Sequence, residues 1–244
     1  MSVKYTTEAI VIGTANFGDA DRVLTLFTKS RGKVRAAAFG SRRPKSLLSG
    51  LQLFVRAEMQ LVEGRNLDTV KSFALLDGNS AITADLTATA YAAFAAEIAG
   101  DLFAENQPDE AAFVLLSKIL AAFAAGRNPR VTALIAAWQL LYAAGVGASL
   151  ERCADCADKI GEQAYFSPHE GGVLCQNCGR GKALAELTSQ DWQFLRTMRD
   201  FDWDANEKLR LKKDVLLTAE RNVLSYLRNI LGREPRSLGF IRCL

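Results

Sequence analysis

Hydrophobic and polar positions change their rhythm near residue 80. Before it, short β-branched or alternating runs at 6–14, 23–28, 33–40, 54–62 and 69–76 are separated by turn-forming Asn16-Phe17-Gly18-Asp19, Arg31-Gly32 and Glu63-Gly64-Arg65-Asn66. In the fourth run Val55, Ala57, Met59 and Leu61 alternate with Arg56, Glu58 and Gln60, which gives one apolar and one polar strand face. Five short strands in so little chain suit a closed barrel, because closure removes unpaired edges. An OB-type barrel has this strand number; a small SH3-like barrel is the competing reading.

After Ser80 the apolar period lengthens to that of helices. Ala, Leu and Phe dominate, with breaks at Gln107-Pro108 and Gly126-Arg127-Asn128-Pro129, so helices are expected at 80–105, 109–125 and 130–144. Leu115, Ile119, Leu120 and Phe123 share one helical stripe, and Leu134, Trp138, Leu141 and Tyr142 another; both read as core. A cysteine-bearing insertion follows to about Ala183. Helices are expected again at 191–200 and 208–231, with Gly232 as a natural stop. The predicted organisation is therefore α+β: an OB-fold barrel over 1–80, a helical domain over 81–150 and 184–244, and a zinc-binding insertion over 151–183.

Composition narrows the class. The chain has 244 residues, 49% hydrophobic and 23% charged, which is a globular and not a disordered balance. No apolar run reaches bilayer length, since the Ala-rich stretch is broken by Asp85, Glu97 and Asp101. The first residues lack a charged-then-apolar leader, so a cytoplasmic protein with no membrane partner is expected.

The net charge of +3 is unevenly spread. Residues 1–80 carry 12 Lys and Arg against 7 Asp and Glu, whereas residues 81–150 carry 3 against 6. Arg22, Lys29, Arg31, Lys33, Arg35, Arg42, Arg43 and Lys45 follow one another with no acid between them, a local field suited to an anionic partner. Lys33, Arg35 and Phe39 alternate onto one strand face and Val34, Ala36 and Ala38 onto the other. A second basic stripe, Arg210, Lys213, Arg221 and Arg228, lies opposite Ala219, Val223, Tyr226 and Ile230; it reads as a solvated face paired with Asp214 and Glu220.

Cys153-Ala-Asp-Cys156 and Cys175-Gln-Asn-Cys178 enclose 18 residues. Two such knuckles can close a tetrahedral four-sulfur shell, the arrangement of a single structural Zn²⁺ with no open position for catalysis. Gly171-Gly172 between them signals a hairpin, and Gly179 follows the second pair. Disulfides are disfavoured in a cytosolic chain, and a redox Cys-x-x-Cys lacks its thioredoxin-like setting. His169, the sole histidine, is expected in an exposed loop, and Cys243 reads as a spare thiol.

Catalytic constellations are thin. One histidine removes most nucleophile–base pairs, no GxxxxGK[ST] loop is present, and Gly145-Val-Gly147 reads as a helix end. Asp19 and Asp21 read as a turn entering the second strand. Neither an enzyme nor a small-molecule substrate is expected.

At this point a family resemblance emerges. Ala9-Ile10-Val11-Ile12, Gly18-Asp19-Ala20-Asp21-Arg22, Thr25-Leu26-Phe27-Thr28, Gly32-Lys33 and Phe39-Gly40-Ser41-Arg42-Arg43-Pro44-Lys45-Ser46 resemble the opening of the RecO family of bacterial recombination mediators. Leu51-Gln52-Leu53-Phe54 and Leu231-Gly232-Arg233-Glu234-Pro235-Arg236-Ser237-Leu238-Gly239-Phe240 are similar as well. The likeness runs in order along nearly the whole chain, departing at Ala20, where the family pattern has a small hydroxyl residue. It implies binding of single- and double-stranded DNA, strand annealing, and partnership with RecR and single-stranded-DNA-binding protein in helping RecA load at the nucleoid. The residues and the resemblance together nominate Lys33, Arg35, Arg42, Arg43 and Lys45 as phosphate contacts and Phe39 as either a base-stacking or a core ring. Two other classes compete: an adaptor whose basic barrel receives acidic protein segments without DNA, and a zinc-ribbon transcription or translation factor.

Overall fold

A computed structural model describes residues 3–205 and 212–244. Five strands, β1 (Lys4–Phe17), β2 (Asp21–Thr28), β3 (Gly32–Ala38), β4 (Arg56–Val62) and β5 (Asp68–Asp77), close a barrel in the order β1-β2-β3-β5-β4. β1 is long enough to pair with β4 through its first half and with β2 through its second, around a register shift between Val11 and Gly13. The parallel β3–β5 pair completes the closure. Phe54, expected to open the fourth strand, stands instead in the left-handed region at φ +70°, buried, with its N–H donated to Val11 O.

The barrel interior is lined by Val11, Leu24, Leu26, Ala36, Met59, Leu61 and their neighbours, while Ile10, Ile12 and Phe27 point outward into a second, larger core. That is why Ala9-Ile10-Val11-Ile12 is a continuous apolar run: both faces of the strand are covered. Helix packing supplies the outer cover. The expected helix over 80–105 is divided into α1 (Ser80–Thr83) and α2 (Leu86–Leu102), because Asp85 leaves the helical region (φ −118°, ψ 119°) and accepts the Ala88 N–H as an N-cap. α3 (Glu110–Ala124) and α4 (Pro129–Ala143) start from Asp109 and Asn128 caps. From Thr132 to Leu141 every residue of α4 is buried, so it is the central helix of the bundle. Its Trp138 donates the indole N–H to Leu195 O at 3.0 Å and meets the rings of Tyr142, Phe166 and Tyr226.

The seam between barrel and bundle is specific. Phe27 packs edge-on against Phe103 at 5.4 Å, Lys33 Nζ donates to the Gly100 carbonyl near the end of α2 at 2.6 Å, and Asn106 N donates to Lys33 O. Gly32 sits at φ +67°, and a Cβ there would lie 1.9 Å from the Gln107 carbonyl oxygen, so only glycine lets the chain pass.

The insertion holds β6 (Ala164–Ser167), β7 (Gly172–Cys175) and the short α5 (Gln176–Gly179), and β8 (Glu186–Leu187), beyond the expected boundary at 183, completes a three-stranded sheet of order β7-β6-β8. α6 (Ser189–Arg199) opens on a Thr188/Asp191 capping box, and α7 (Lys213–Leu231) ends at Gly232 in the left-handed region. Of the second basic stripe, Arg210 lies outside the described residues; Lys213, Arg221 and Arg228 are exposed. The expected partnering within that helix is corrected: Glu220 reaches across to Arg130 of α4, and Arg228 pairs with Glu234 at 2.6 Å. α8 (Ser237–Ile241), not anticipated, is tied to α2 through Glu97, which accepts from Arg233, from the Arg236 and Ser237 N–H groups and from the Ser237 hydroxyl. Among the described residues no helix is long and apolar enough to cross a membrane.

Two outcomes test this architecture. Phe27→Ala should cost about 3–5 kcal/mol of unfolding free energy in urea titration, the loss for an aromatic ring in a closed core; a cost below about 1 kcal/mol would mean that the seam is not packed. Burial opposes ionisation of Glu97, but the hydrogen bonds from Ser237, Arg236 and Arg233 outweigh it and lower its pKa. A lowered folded pKa gives stability that is fully present above the ordinary glutamate value of about 4.3 and is lost as pH falls through the folded value. Glu97→Gln should therefore destabilise the protein at pH 7 and flatten the acid limb of its stability curve; an unchanged limb counts against the latch.

Candidate nucleic-acid interface and metal centre

The two cysteine knuckles converge. The Sγ atoms of Cys153, Cys156, Cys175 and Cys178 all lie within 4.8 Å of one another, and Cys156 and Cys175 are 3.8 Å apart. Four sulfurs held tetrahedrally at about 2.3 Å from one ion stand about 3.8 Å apart, so the set fits a single metal ion. Backbone geometry brings them there. Ala157 N donates to Cys153 O and Ala154 N to Val173 O, while Cys175 N donates to the Cys153 sulfur at 3.4 Å. Ala157 takes the left-handed turn of the first knuckle at φ +62°. In the second, a Cβ on Gly179 would lie 2.2 Å from the Tyr165 ring. Burial works against a Cys153 thiolate, but N–H groups of Cys156, Cys175 and Asp155 outweigh it and bring the thiol down to about 6. Hydrogen bonding to Cys156 pushes Cys178 up. His169 is exposed in the β6–β7 turn and outside the sulfur cluster.

This centre is anchored to the bundle and not suspended from it. Ala164, Phe166, Val173 and Leu187 of the small sheet belong to the same core as Trp138, while Leu174 packs with Cys153 and Cys175 of the cluster on the other side.

The basic run divides into two groups. At the β2–β3 end, toward the bundle, Lys29 pairs with Glu110 at 3.1 Å, Arg31 pairs with Glu63 and covers the Tyr5 ring at 4.1 Å, and Lys33 is held by the Gly100 carbonyl. At the opposite end Arg42, Arg43 and Lys45 are exposed; Arg35, also exposed, lines a cleft at the seam with Arg31, Glu63, Asp68 and Glu105, and none of the four forms an ion pair among the described residues. Arg42 Nη1 rests on the Gly18 carbonyl at 3.3 Å, and the Arg43 stem lies beside Gly40. Asp21 Oδ1 accepts the Gly40 N–H at 2.6 Å and so fixes the start of the 39–55 loop that carries them. Phe39 is 55% exposed and does not enter either core. Arg22 is half-buried, with Nη1 lacking a hydrogen-bond partner.

Lys33 thus stands apart from the other nominated residues, a separation that needs the α2 carbonyl to be seen. Phe17 was missed in the opposite direction. Its neighbours in the sequence read as a turn, yet it ends β1, and it too is 55% exposed.

The comparisons with known proteins agree along the chain. The family model for the N-terminal part of recombination protein O matches residues 1–79, and that for its C-terminal part matches residues 83–239. The DNA repair protein RecO of Desulforudis audaxviator is 34% identical over 241 residues, covering 98% of this chain and 96% of the relative. Those of a Roseiflexus species and of Symbiobacterium thermophilum are 34% and 32% identical over 240 residues, covering 97% and 96% of this chain and 84% and 94% of the relatives.

Cys175→Ser should remove the metal from the purified protein, as read by elemental analysis. It should also lower the melting temperature, by roughly 2–4 °C for each kcal/mol lost. Wild-type protein without a stoichiometric metal ion would contradict the assignment.

Proposed function

Because this chain belongs to the RecO family of DNA repair proteins, we propose that it is a recombination mediator that holds DNA without regard to sequence. The reading rests on one observation above the rest: Arg42, Arg43 and Lys45 are exposed and form no ion pair at the end of the barrel away from the bundle. Each phosphate they neutralise releases condensed counterions, which favours single and double strands alike and makes affinity fall as salt rises. Two strands lying on one charge-neutralised surface lose much of the repulsion that opposes their approach, and annealing follows. Lys33 orients β3 against α2 and contributes to the field without touching the polymer.

The four-cysteine centre holds one Zn²⁺, through Cys153, Cys156, Cys175 and Cys178. A closed sulfur shell suits zinc among common cellular ions and makes its contribution structural. In this role the protein works in the cytoplasm at the nucleoid, with RecR and single-stranded-DNA-binding protein as partners while RecA loads. No covalent step is assigned to any residue.

Fluorescence anisotropy with a labelled oligonucleotide across a salt series tests the reading. Replacing Arg42, Arg43 and Lys45 together by Ala should reduce the slope of log affinity against log salt by roughly 2, three contacts at about 0.7 each on a single strand. Absence of binding at low salt, with binding of an acidic peptide retained, would transfer the basic surface to a protein partner; an unchanged slope would place the phosphates elsewhere.

A further inference from the structure

Phe17 and Phe39 lie on the same side of the barrel wall. Asn16, Arg22 and Ala38 form one cross-strand row through β1, β2 and β3, and Ala38 points into the barrel core. Side chains alternate along each strand, so the next pair, Phe17 and Asp21, faces outward; Phe39 follows β3 in the turn closed by Ser41 N on Ala38 O, next to Asp21, which accepts the Gly40 N–H. Two strand spacings, about 10 Å of backbone, separate β1 from β3. Both are 55% exposed although nothing in the charge or turn chemistry of the site requires an aromatic there. Below them the outer face is small and flat, with Ala15, Val23 and Ala37 in the following row and Gly13, Thr25 and Arg35 in the one after.

Cations follow this aromatic pair. Arg42, Arg43 and Lys45 lie just beyond Phe39 in the exposed loop, and Arg42 reaches back to the Gly18 carbonyl next to Phe17. The acid beside the pair, Asp21, is held down on the Gly40 N–H. A polymer that places flat apolar groups over the rings and anionic links beside them is a single-stranded polynucleotide; in a duplex the same base faces are already stacked.

We propose that Phe17 and Phe39 form a two-ring platform that stacks unpaired bases, so that this face of the barrel selects single-stranded over double-stranded nucleic acid. The proposal rests on the DNA-binding reading and goes beyond it, since phosphate contacts alone do not discriminate the two forms.

Three probes test it by anisotropy at fixed salt: a thymidine oligonucleotide, an oligomer of the same length with abasic sugars in place of nucleosides, and a duplex. Phe17→Ala and Phe39→Ala should each weaken thymidine binding by roughly 5- to 100-fold and leave the abasic oligomer and the duplex unaffected. Phe39→Trp should retain binding, and its added indole emission should be quenched by the thymidine oligomer and not by the abasic one. Equal losses on both oligomers, or no loss on either, overturn the platform. So does a concentration-dependent dimer that Phe17→Ala abolishes, which would give the face to a second copy of the chain. If wild-type protein binds no probe at low salt, the DNA reading itself falls. If the Arg42, Arg43, Lys45 variant flattens the salt slope while both phenylalanine variants bind as wild type, only the platform falls.

Discussion

Phe27 points out of the barrel into helix-borne apolar side chains while Leu24 and Leu26 point into it, so β2 is clamped between two cores. That double burial sets which way the barrel faces. The β2–β3 end is turned to the bundle, and its cations are consumed there by Glu110, by Glu63 with the Tyr5 ring, and by the end of α2. The other end of the same strands is thereby left with its charges unneutralised and its aromatics uncovered. One basic run in the sequence becomes two groups, one engaged and one exposed, because a strand has two ends and only one of them is docked.

The metal centre serves the same orientation at a distance. Its sheet contributes Phe166 and Val173 to the core around Trp138, and Tyr226 of α7 packs on both Trp138 and Phe166. A metal ion held there would couple its binding energy to the position of α4 and α7. Loss of metal is expected to loosen the bundle before it weakens any contact made by the far end of the barrel.

What the sequence discloses depends on how local the cause is. Strand alternation and the Cys-x₂-Cys spacing are consequences of neighbouring residues, and the five strands and the sulfur cluster were legible from them. The break before α2 was not, since the capping role of Asp85 becomes visible only when the Ala-rich run is seen to turn there. Lys33 and Arg35 look equivalent in sequence, and a carbonyl 67 positions later in the chain separates them. Glu220 offered itself to its own helix and was taken by Arg130 instead. Phe17 was hidden by its turn-like neighbours, Asn16 and Gly18, although its partner Phe39 lay within reach once β1 and β3 were placed on either side of β2.

Hydrogen–deuterium exchange with and without a saturating single-stranded oligonucleotide measures directly whether the undocked end of the barrel, and not the docked one, receives the polynucleotide. Slowed exchange is expected at residues 14–22 and 39–47, with residues 29–33 unchanged because they are already shielded by the bundle. Protection confined to 29–33 or to the helices, with the exposed loop exchanging as in the free protein, would contradict it.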